Sequence, residues 1–392
     1  MRARLSPDTL LAGLPSASPV AVVADGARTI VGLGCSSVIA ANGSDALAAL
    51  DRITHGWWAG YLAYDLGRTI ERVPEINAPT MVPDVVFGRF DTRLVIEPDG
   101  EVTVEGSDTG LADLSGGEGR SSVTPLPGPW TSSLDRPSFE RGVRTIHEHL
   151  VAGDCYQVNL TRRLTIDATP DPIALFTALR HGNPAPHAAL LRLADVAVVS
   201  ASPERFLRVD GRYVRTRPIK GTAADPGVLR ASAKDRAENV MIVDLARNDL
   251  GRVCEYGSVT VPELFAIEEH PGLHHLVSTV EGVLREDVTI GALIGATFPP
   301  ASVTGCPKPR VLRIIEEIEP VRRGVYCGAV GFIDADRGVC DLNVAIRTFT
   351  IGDARTSFGV GAGIVADSDP AAEWEETELK ARRLLGIAAS AG

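Results

Sequence analysis

The sequence predicts an α+β fold on three observations: short β-type runs near the start, capped helical segments in the middle and at the end, and an antiparallel meander before the last helix. Val20 to Ala24, Thr29 to Leu33 and Ser37 to Ala40 read as three short strands between Gly and polar turns. The aromatic run Trp57 to Asp65 reads as a packed strand and receives no catalytic role. From Glu105 to Arg136 the chain turns Gly/Ser/Pro-rich and loses its periodic apolar positions, which marks a loop or boundary. Helical spacing resumes at Ser138 and runs through Val143, Ile146 and Leu150 to Gly153. A strand follows from Cys155 to Leu164, with Val158 and Leu160 on one face and Gln157 and Asn159 on the other.

Ala197 to Val209 gives strand, tight turn and strand, with Ser202-Pro203-Glu204-Arg205-Phe206 at the turn. Ser232 to Val253 is a helix whose middle, Val240 to Leu245, is apolar nearly all round and is predicted buried; Asp235 and Glu238 share one face. His274 to Ser278 opens another strand, and Phe298 to Lys308 is a loop entering a helix from Arg310 to Glu319 that Pro320 stops. The meander comprises Tyr326 to Ile333, Val339 to Ile351 and Thr356 to Ala366. Alternation in its middle strand puts Asn343, Ala345 and Arg347 opposite Leu342, Val344 and Ile346. Its last strand carries Gly359, Gly361 and Gly363 at period two, a bare face on which a ligand could reach the amides. A final helix opens with Asp369 as N-cap and Pro370, and sets Glu373, Glu376 and Lys380 on one face.

Composition limits the functions. The 392 residues are 44% apolar with a net charge of −11, and no basic run is long enough to displace counterions from nucleic acid. An anionic substrate would therefore need a local positive site. Six cysteines are scattered without a Cys-x-x-Cys pair and read as reduced core thiols of a cytoplasmic protein. Pro7 and Asp8 interrupt the start before a signal peptide could form, and no apolar run approaches the roughly 18 residues of a membrane helix.

The stretch Thr216-Arg217-Pro218-Ile219-Lys220-Gly221-Thr222 fixes one amine between a rigid Pro and a permissive Gly. Alone, such a lysine fits a solvated turn. Carboxylates, a cation site or an anion cradle elsewhere would give it chemistry. Glu204, Asp235, Glu238, Glu373 and Glu376 offer carboxylate oxygens, and Arg347 offers a fork for a carboxylate. The two acidic helices could hold a hard cation such as Mg²⁺, which needs only one or two protein carboxylates plus substrate oxygens. On spacing alone, Glu376 and Lys380 at i,i+4 fit an ordinary solvated pair better. A strand histidine such as His275 is more often a hydrogen-bonded core residue than a catalyst.

Ordered runs then carry a resemblance: Gly153-Asp154-Cys155-Tyr156-Gln157-Val158-Asn159-Leu160, Ser202-Pro203-Glu204-Arg205-Phe206, Pro218-Ile219-Lys220-Gly221-Thr222, Lys234-Asp235-Arg236-Ala237-Glu238-Asn239 and Asp244-Leu245-Ala246-Arg247-Asn248-Asp249. They continue through Ser302-Val303-Thr304-Gly305-Cys306-Pro307-Lys308, Ala345-Ile346-Arg347-Thr348, Gly361-Ala362-Gly363-Ile364-Val365-Ala366-Asp367-Ser368 and Glu373-Trp374-Glu375-Glu376-Thr377. On these runs the chain resembles the chorismate-utilising enzymes, from about Trp57 to Leu385. The resemblance implies two facing antiparallel β-sheets wrapped by helices. Residues 1–125 would be an N-terminal region contributing strands to that common fold, and 126–392 the chorismate-binding catalytic region.

It further implies a Mg²⁺ between Glu238 and Glu376, with Asp235 and Glu373 as accessory acids, taking the ring carboxylate of chorismate. Arg347, Lys380, Tyr326 and the amides of Gly361, Ala362 and Gly363 would hold substrate carboxylates, with Thr304, Thr222, His275 and Gln157 completing the substrate site. Glu204 would be the general acid for the carbon 4 hydroxyl, with a pKa raised to about 6 to 7. Relatives that make isochorismate or salicylate carry Lys where this chain has Gln157, and relatives that make anthranilate carry Ala where it has Lys220. The pattern matches the branch in which the lysine attacks carbon 2 and ammonia then replaces it through carbon 4, giving 4-amino-4-deoxychorismate for p-aminobenzoate and folate biosynthesis. Such an amine, ordinarily near pKa ~10.4, must be depressed by desolvation or by cations such as Mg²⁺ and Arg217. Ammonia would come from a glutamine amidotransferase partner.

The alternatives are an anthranilate-forming enzyme, an aminodeoxyisochorismate-forming enzyme and an inactive regulatory subunit. Intact Glu204, Lys220, Glu238 and Glu376 speak against the last. The sequence departs from the pattern at Cys306, where Ala is usual. Relatives bind tryptophan near positions matching Leu33 to Ser37 and in an Asn-Pro-x-Pro turn, here Asn183 to Pro186.

Overall fold

A computed structural model describes residues 3–390 except 5, 16–17, 79, 81, 107–125, 127, 271–272 and 353. Most of the Gly/Ser/Pro-rich stretch read as a boundary lies outside the described residues. All strand pairings among the described residues are antiparallel, and they connect into one ribbon that folds into two layers. The first layer runs Thr260–His270, Leu273–Val283, Tyr213–Arg217 with Ile219–Ala223, Arg205–Asp210, Val339–Val344, Ala329–Asp334, Trp57–Leu62 and Val85–Ile96. The second runs Arg28–Ala41, Val20–Asp25, His187–Leu193, Val196–Ser202, Thr348–Gly352, Arg355–Ile364 and Gln157–Ile166. Val85–Ile96 joins the layers, because it pairs with Trp57–Leu62 and also with Arg28–Ala41.

The layers face each other. Ala21, Val23, Leu191 and Val198 of the second layer share one buried cluster with Trp57, Tyr61, Val330 and Phe332 of the first. Strand alternation supplies this, since every second side chain of each strand points inward. Trp57 is the packed aromatic anticipated, stacked on Phe332 at 5.8 Å between centroids. Helices Asp45–Leu50, Ala233–Gly251 and Ile290–Thr297 bury their apolar faces on the outside of the first layer. Pro7–Ala12, Pro172–Gly182 and Pro370–Ser390 do so on the second. Arg136–Val151 and Lys308–Ile318 cover Gln157–Ile166.

Capping residues set the helix starts. Ser232 accepts from the Asp235 amide at 3.1 Å and Asp369 from the Ala372 amide at 2.9 Å, each satisfying one otherwise unpaired N–H. Asp135 does the same for Ser138, so that helix begins at Arg136 rather than at Ser138. The helix expected from Arg310 begins at Lys308, whose buried Nζ bonds to Asp249 at 2.7 Å. No helix among the described residues is long and apolar enough to cross a membrane.

Three expectations change. Thr29 to Leu33 and Ser37 to Ala40 are one strand, Arg28–Ala41, with a register shift between Cys35 and Ser37; the turn-like Gly34 is absorbed as an irregularity at φ +65°. The middle of Ala233–Gly251 is not buried all round: Ile242, Val243 and Ala246 face the core, whereas Val240 is 46% exposed. Nor are all the cysteines core thiols, since Cys35 and Cys306 are only partly buried, although all six are free.

Candidate active site

Two crossovers between the layers build the site. Ser202 ends a strand of the second layer and Arg205 begins one of the first, so the tight turn at Glu204 is a bridge between sheets rather than a hairpin. Val339 to Ile351 was expected to be one strand. It breaks after Val344 and crosses the other way, resuming at Thr348 in the second layer. The break sits at Arg347, whose φ of +52° is left-handed, a conformation that costs a non-Gly residue about 1–3 kcal/mol and persists only when its surroundings enforce it. They do so here: the Ala201 amide donates to the Arg347 carbonyl at 3.0 Å, the Val344 amide to the Glu204 carbonyl at 3.0 Å, and the Ser202 hydroxyl to the Val344 carbonyl at 2.6 Å. Glu204 and Arg347 are thereby fixed in a common cleft of about 650 Å³.

Lys220 enters this cleft from Ile219–Ala223. Gly221 beside it has φ +83°, and a Cβ there would lie 3.0 Å from the Asp235 carboxyl carbon, so the bend that presents the lysine requires glycine. The Lys220 side chain is 13% exposed with Nζ 3.9 Å from Glu238. Burial pushes its pKa down, opposed by Glu238 and Glu204 and assisted by Lys380. Arg217 has no part in this, because it pairs with Glu268 and donates to Thr279 on the neighbouring strand. Burial likewise pushes the Glu204 carboxyl up to about 7, against a hydrogen bond from Ser302, the charge of Lys220 and the Ile219 amide.

The acids share this cleft with Arg347. Asp235, Glu238, Glu373 and Glu376 all line the cleft. Burial raises the Glu238 pKa, with Asp235 and Glu376 adding to the rise, and burial raises that of Glu373 with Glu376 adding to it. No three His, Cys, Asp or Glu side chains among the described residues form a ready-made metal cage. The donor set nevertheless suits a Mg²⁺ that takes one or two carboxylates and completes its shell with substrate oxygens, because mutually repelling acids gain from a cation. Lys380 holds Glu376 at 2.5 Å and donates to the Gly361 carbonyl at 3.2 Å. In an antiparallel strand the N–H and C=O of one residue point the same way, so the Gly361 amide also faces the cleft, as do those of Gly359 and Gly363 by period two. The glycine face itself is not bare. A Cβ on Gly359 would lie 2.1 Å from the Tyr326 ring, and one on Gly363 would lie 2.6 Å from the Gln157 amide nitrogen.

Of the other predicted residues, Tyr326 and Thr222 line the cleft. Four do not. Ala362 points into the apolar core with Phe139 and Val311. Thr304 is fully buried and donates to the Pro300 carbonyl at 2.9 Å. His275 lies behind Thr222, 2.8 Å from its hydroxyl. Gln157 is buried against Gly363 with both amide atoms lacking hydrogen-bond partners. Motif position cannot separate a residue that lines a cleft from one that supports it. Conversely, Asn183, Ser302 and Arg383 line the cleft without having been singled out for it. Arg383 was legible by spacing, three residues beyond Lys380 on the same helix face.

With this geometry established, similarity to known proteins becomes specific. The model of the chorismate binding enzyme family matches residues 24–386. The chain belongs to the chorismate binding enzyme family. It is 42% identical over 342 residues to aminodeoxychorismate synthase component 1 of Klebsiella aerogenes, covering 83% of this chain and 76% of that protein. The protein of the same name from Escherichia coli K12 is 41% identical over 342 residues, with 83% and 75% covered. Among solved structures, anthranilate synthase component I from Streptococcus pneumoniae TIGR4 superposes with a TM-score of 0.80 at 28% identity, covering 91% of this chain and 92% of that one. The two-layer architecture of this chorismate binding enzyme is thus that of its solved relative.

Proposed function

We propose that this enzyme converts chorismate and ammonia to 4-amino-4-deoxychorismate, with Lys220 as covalent nucleophile and Glu204 as proton donor. The observation that carries the reading is a buried amine and a buried carboxyl in one cleft, each shifted toward neutral pH by loss of water. Two relatives named aminodeoxychorismate synthase component 1 support it.

Mg²⁺, held by Glu238 and Glu376 with Asp235 and Glu373 behind them, would supply positive charge for the ring carboxylate. Arg347 and the outward amides of Gly361 and Gly363 face the remaining anionic groups. Lys220 forms a bond to carbon 2 as the ring double bonds shift and the carbon 4–oxygen bond breaks. Glu204 gives its proton to the departing hydroxyl, which leaves as water. The resulting carboxylate accepts a proton from ammonia as nitrogen bonds to carbon 4; the double bonds shift back and Lys220 departs as a neutral amine. Ammonia would be supplied by a glutamine amidotransferase partner, and the product would feed p-aminobenzoate and folate biosynthesis.

The test is to incubate the protein with chorismate, Mg²⁺ and an ammonium salt and to follow mass and fluorescence. A product that retains the enolpyruvyl group is expected. Fluorescent anthranilate with released pyruvate would sink the reading in favour of the anthranilate-forming alternative.

A further inference from the structure

Tyr326 and Gly359 line the cleft and also a second, smaller cavity. Arg162, Arg163, Arg322 and Arg323 line that cavity beside the carboxylate of Glu319. Two of these cations are matched: Arg323 pairs with Glu319 at 2.7 Å, and Arg162 pairs with Glu378. The other two are not. The Arg322 side chain is 9% exposed, and its Nε and Nη2 are buried without a hydrogen-bond partner. The Glu75 carboxylate stands 3.6 Å from it but is 80% exposed, so water screens the pair. Arg163 donates to the Arg322 carbonyl at 3.1 Å, an acceptor without charge, and has no ion pair among the described residues. Burial pushes the Arg163 pKa down, Asp65 opposes this and Arg355 adds to it. Asp65 acts on both guanidinia, yet it is one charge for two, and its Oδ2 already accepts from the Gly324 amide and the Thr80 hydroxyl.

We propose that this cavity is a binding site for one small monovalent inorganic anion, chloride in ordinary solution, held between Arg163 and Arg322. Size selects the ligand. The cavity offers about 10 Å³, room for a single occupant of roughly water size, which excludes a carboxylate or a phosphate. Charge then decides between water and halide. A water would satisfy the unpaired N–H groups of Arg322 but leave the excess of positive charge, whereas an anion answers both. Guanidinium suits such a site because it is more weakly hydrated than an ammonium and gives up less on burial. The hydroxyl residues Thr350 and Ser357 line the same cavity, so its wall is polar beyond the two cations. The anion would lie against Tyr326, outside the cleft, and its binding does not depend on which reaction the cleft performs.

Two measurements on the intact protein test this. In thermal melting at constant ionic strength, replacing sodium gluconate, whose anion is too large to enter, by sodium chloride should raise the melting temperature along a saturable curve. Crystals soaked in sodium bromide should show an anomalous scattering peak between Arg163 and Arg322. Arg322→Met should lose both the chloride dependence and the peak. Arg322→Lys keeps a charge without the fork and should raise the half-saturating chloride concentration roughly tenfold or more. Glu75→Gln should leave the chloride curve in place, because that carboxylate is a solvent-screened neighbour. A cavity that holds only water in bromide-soaked crystals overturns the proposal, as does a chloride effect of parental size in Arg322→Met. If Arg322→Met does not fold, the parent's bromide peak decides alone: its presence at the two guanidinia supports the site and its absence refutes it.

Discussion

Lys220 Nζ lies 3.9 Å from a carboxylate oxygen of Glu238, close enough for attraction but not for a committed hydrogen bond. The amine is thus buried without being locked to an acid, which leaves its lone pair available once it is neutral. Lys220→Ala should abolish aminated product while chorismate binding survives. With ammonia withheld, the parent protein should gain the mass of chorismate less one water, and the variant should not. Product formation by Lys220→Ala at the parental rate would refute the covalent role.

The two shifts predict a bell-shaped dependence of kcat/KM on pH. Lys220 must be neutral, so its limb rises with pH toward its lowered pKa. Glu204 must be protonated, so its limb falls as pH passes about 7. Glu204→Gln should reduce kcat by about 10²–10⁴ and remove the falling limb. A falling limb of unchanged midpoint in that variant would assign it to another group.

The same carboxyl affects stability. Its folded pKa of about 7 exceeds the ordinary 4.5, so the fold binds an extra proton between these values. The contribution is fully present below about pH 4.5 and is lost as pH rises to about 7. In urea unfolding, Glu204→Gln should therefore gain on the parent between pH 5 and pH 8. The gain should be of order 3 kcal/mol at most, at about 1.4 kcal/mol for each pH unit.

Arg347 is a mostly buried cation whose pKa burial pushes down. Arg347→Met should raise the melting temperature of the ligand-free protein, because an uncompensated charge leaves a low-dielectric site. It should also raise KM for chorismate by roughly tenfold to a hundredfold, the worth of a charge-assisted pair. Loss of stability together with loss of binding would show that the guanidinium has a structural partner.

Gly359→Ala tests the packing under Tyr326. The added methyl would lie 2.1 Å from the ring, so the ring must move into the cleft or the strand must shift. Overpacking of this kind costs about 1–3 kcal/mol. Gly359→Ala/Tyr326→Leu should restore most of the stability, which thermal melting would measure.

Helix caps and single strands were legible because their signals are local: Ser232 and Asp369 each satisfy an amide three residues on. The crossover at Arg347 was not. Alternation extends smoothly through Val339 to Ile351, and no Gly or Pro marks the break; the left-handed turn is imposed by bonds to residues near 201. Thr304 and Ala362 sit in matched motifs yet serve the interior, whereas Arg383 sits in none and faces the cleft. Which side of a motif meets solvent depends on layers that pair across the whole chain. The electrostatic expectations fared better where burial dominates, at Glu204 and Lys220, than where a particular neighbour was named, at Arg217.

The clasp between the two crossovers joins residues 142 apart in the chain, through the bond from Ser202 to Val344. Contacts of such separation carry a large loop-closure entropy and are slow to form. The buried turn that holds Glu204 is accordingly complete only once the two crossovers have met. Titration near neutrality at Glu204 is therefore a gauge of completed folding, readable in a refolding experiment before any substrate is added.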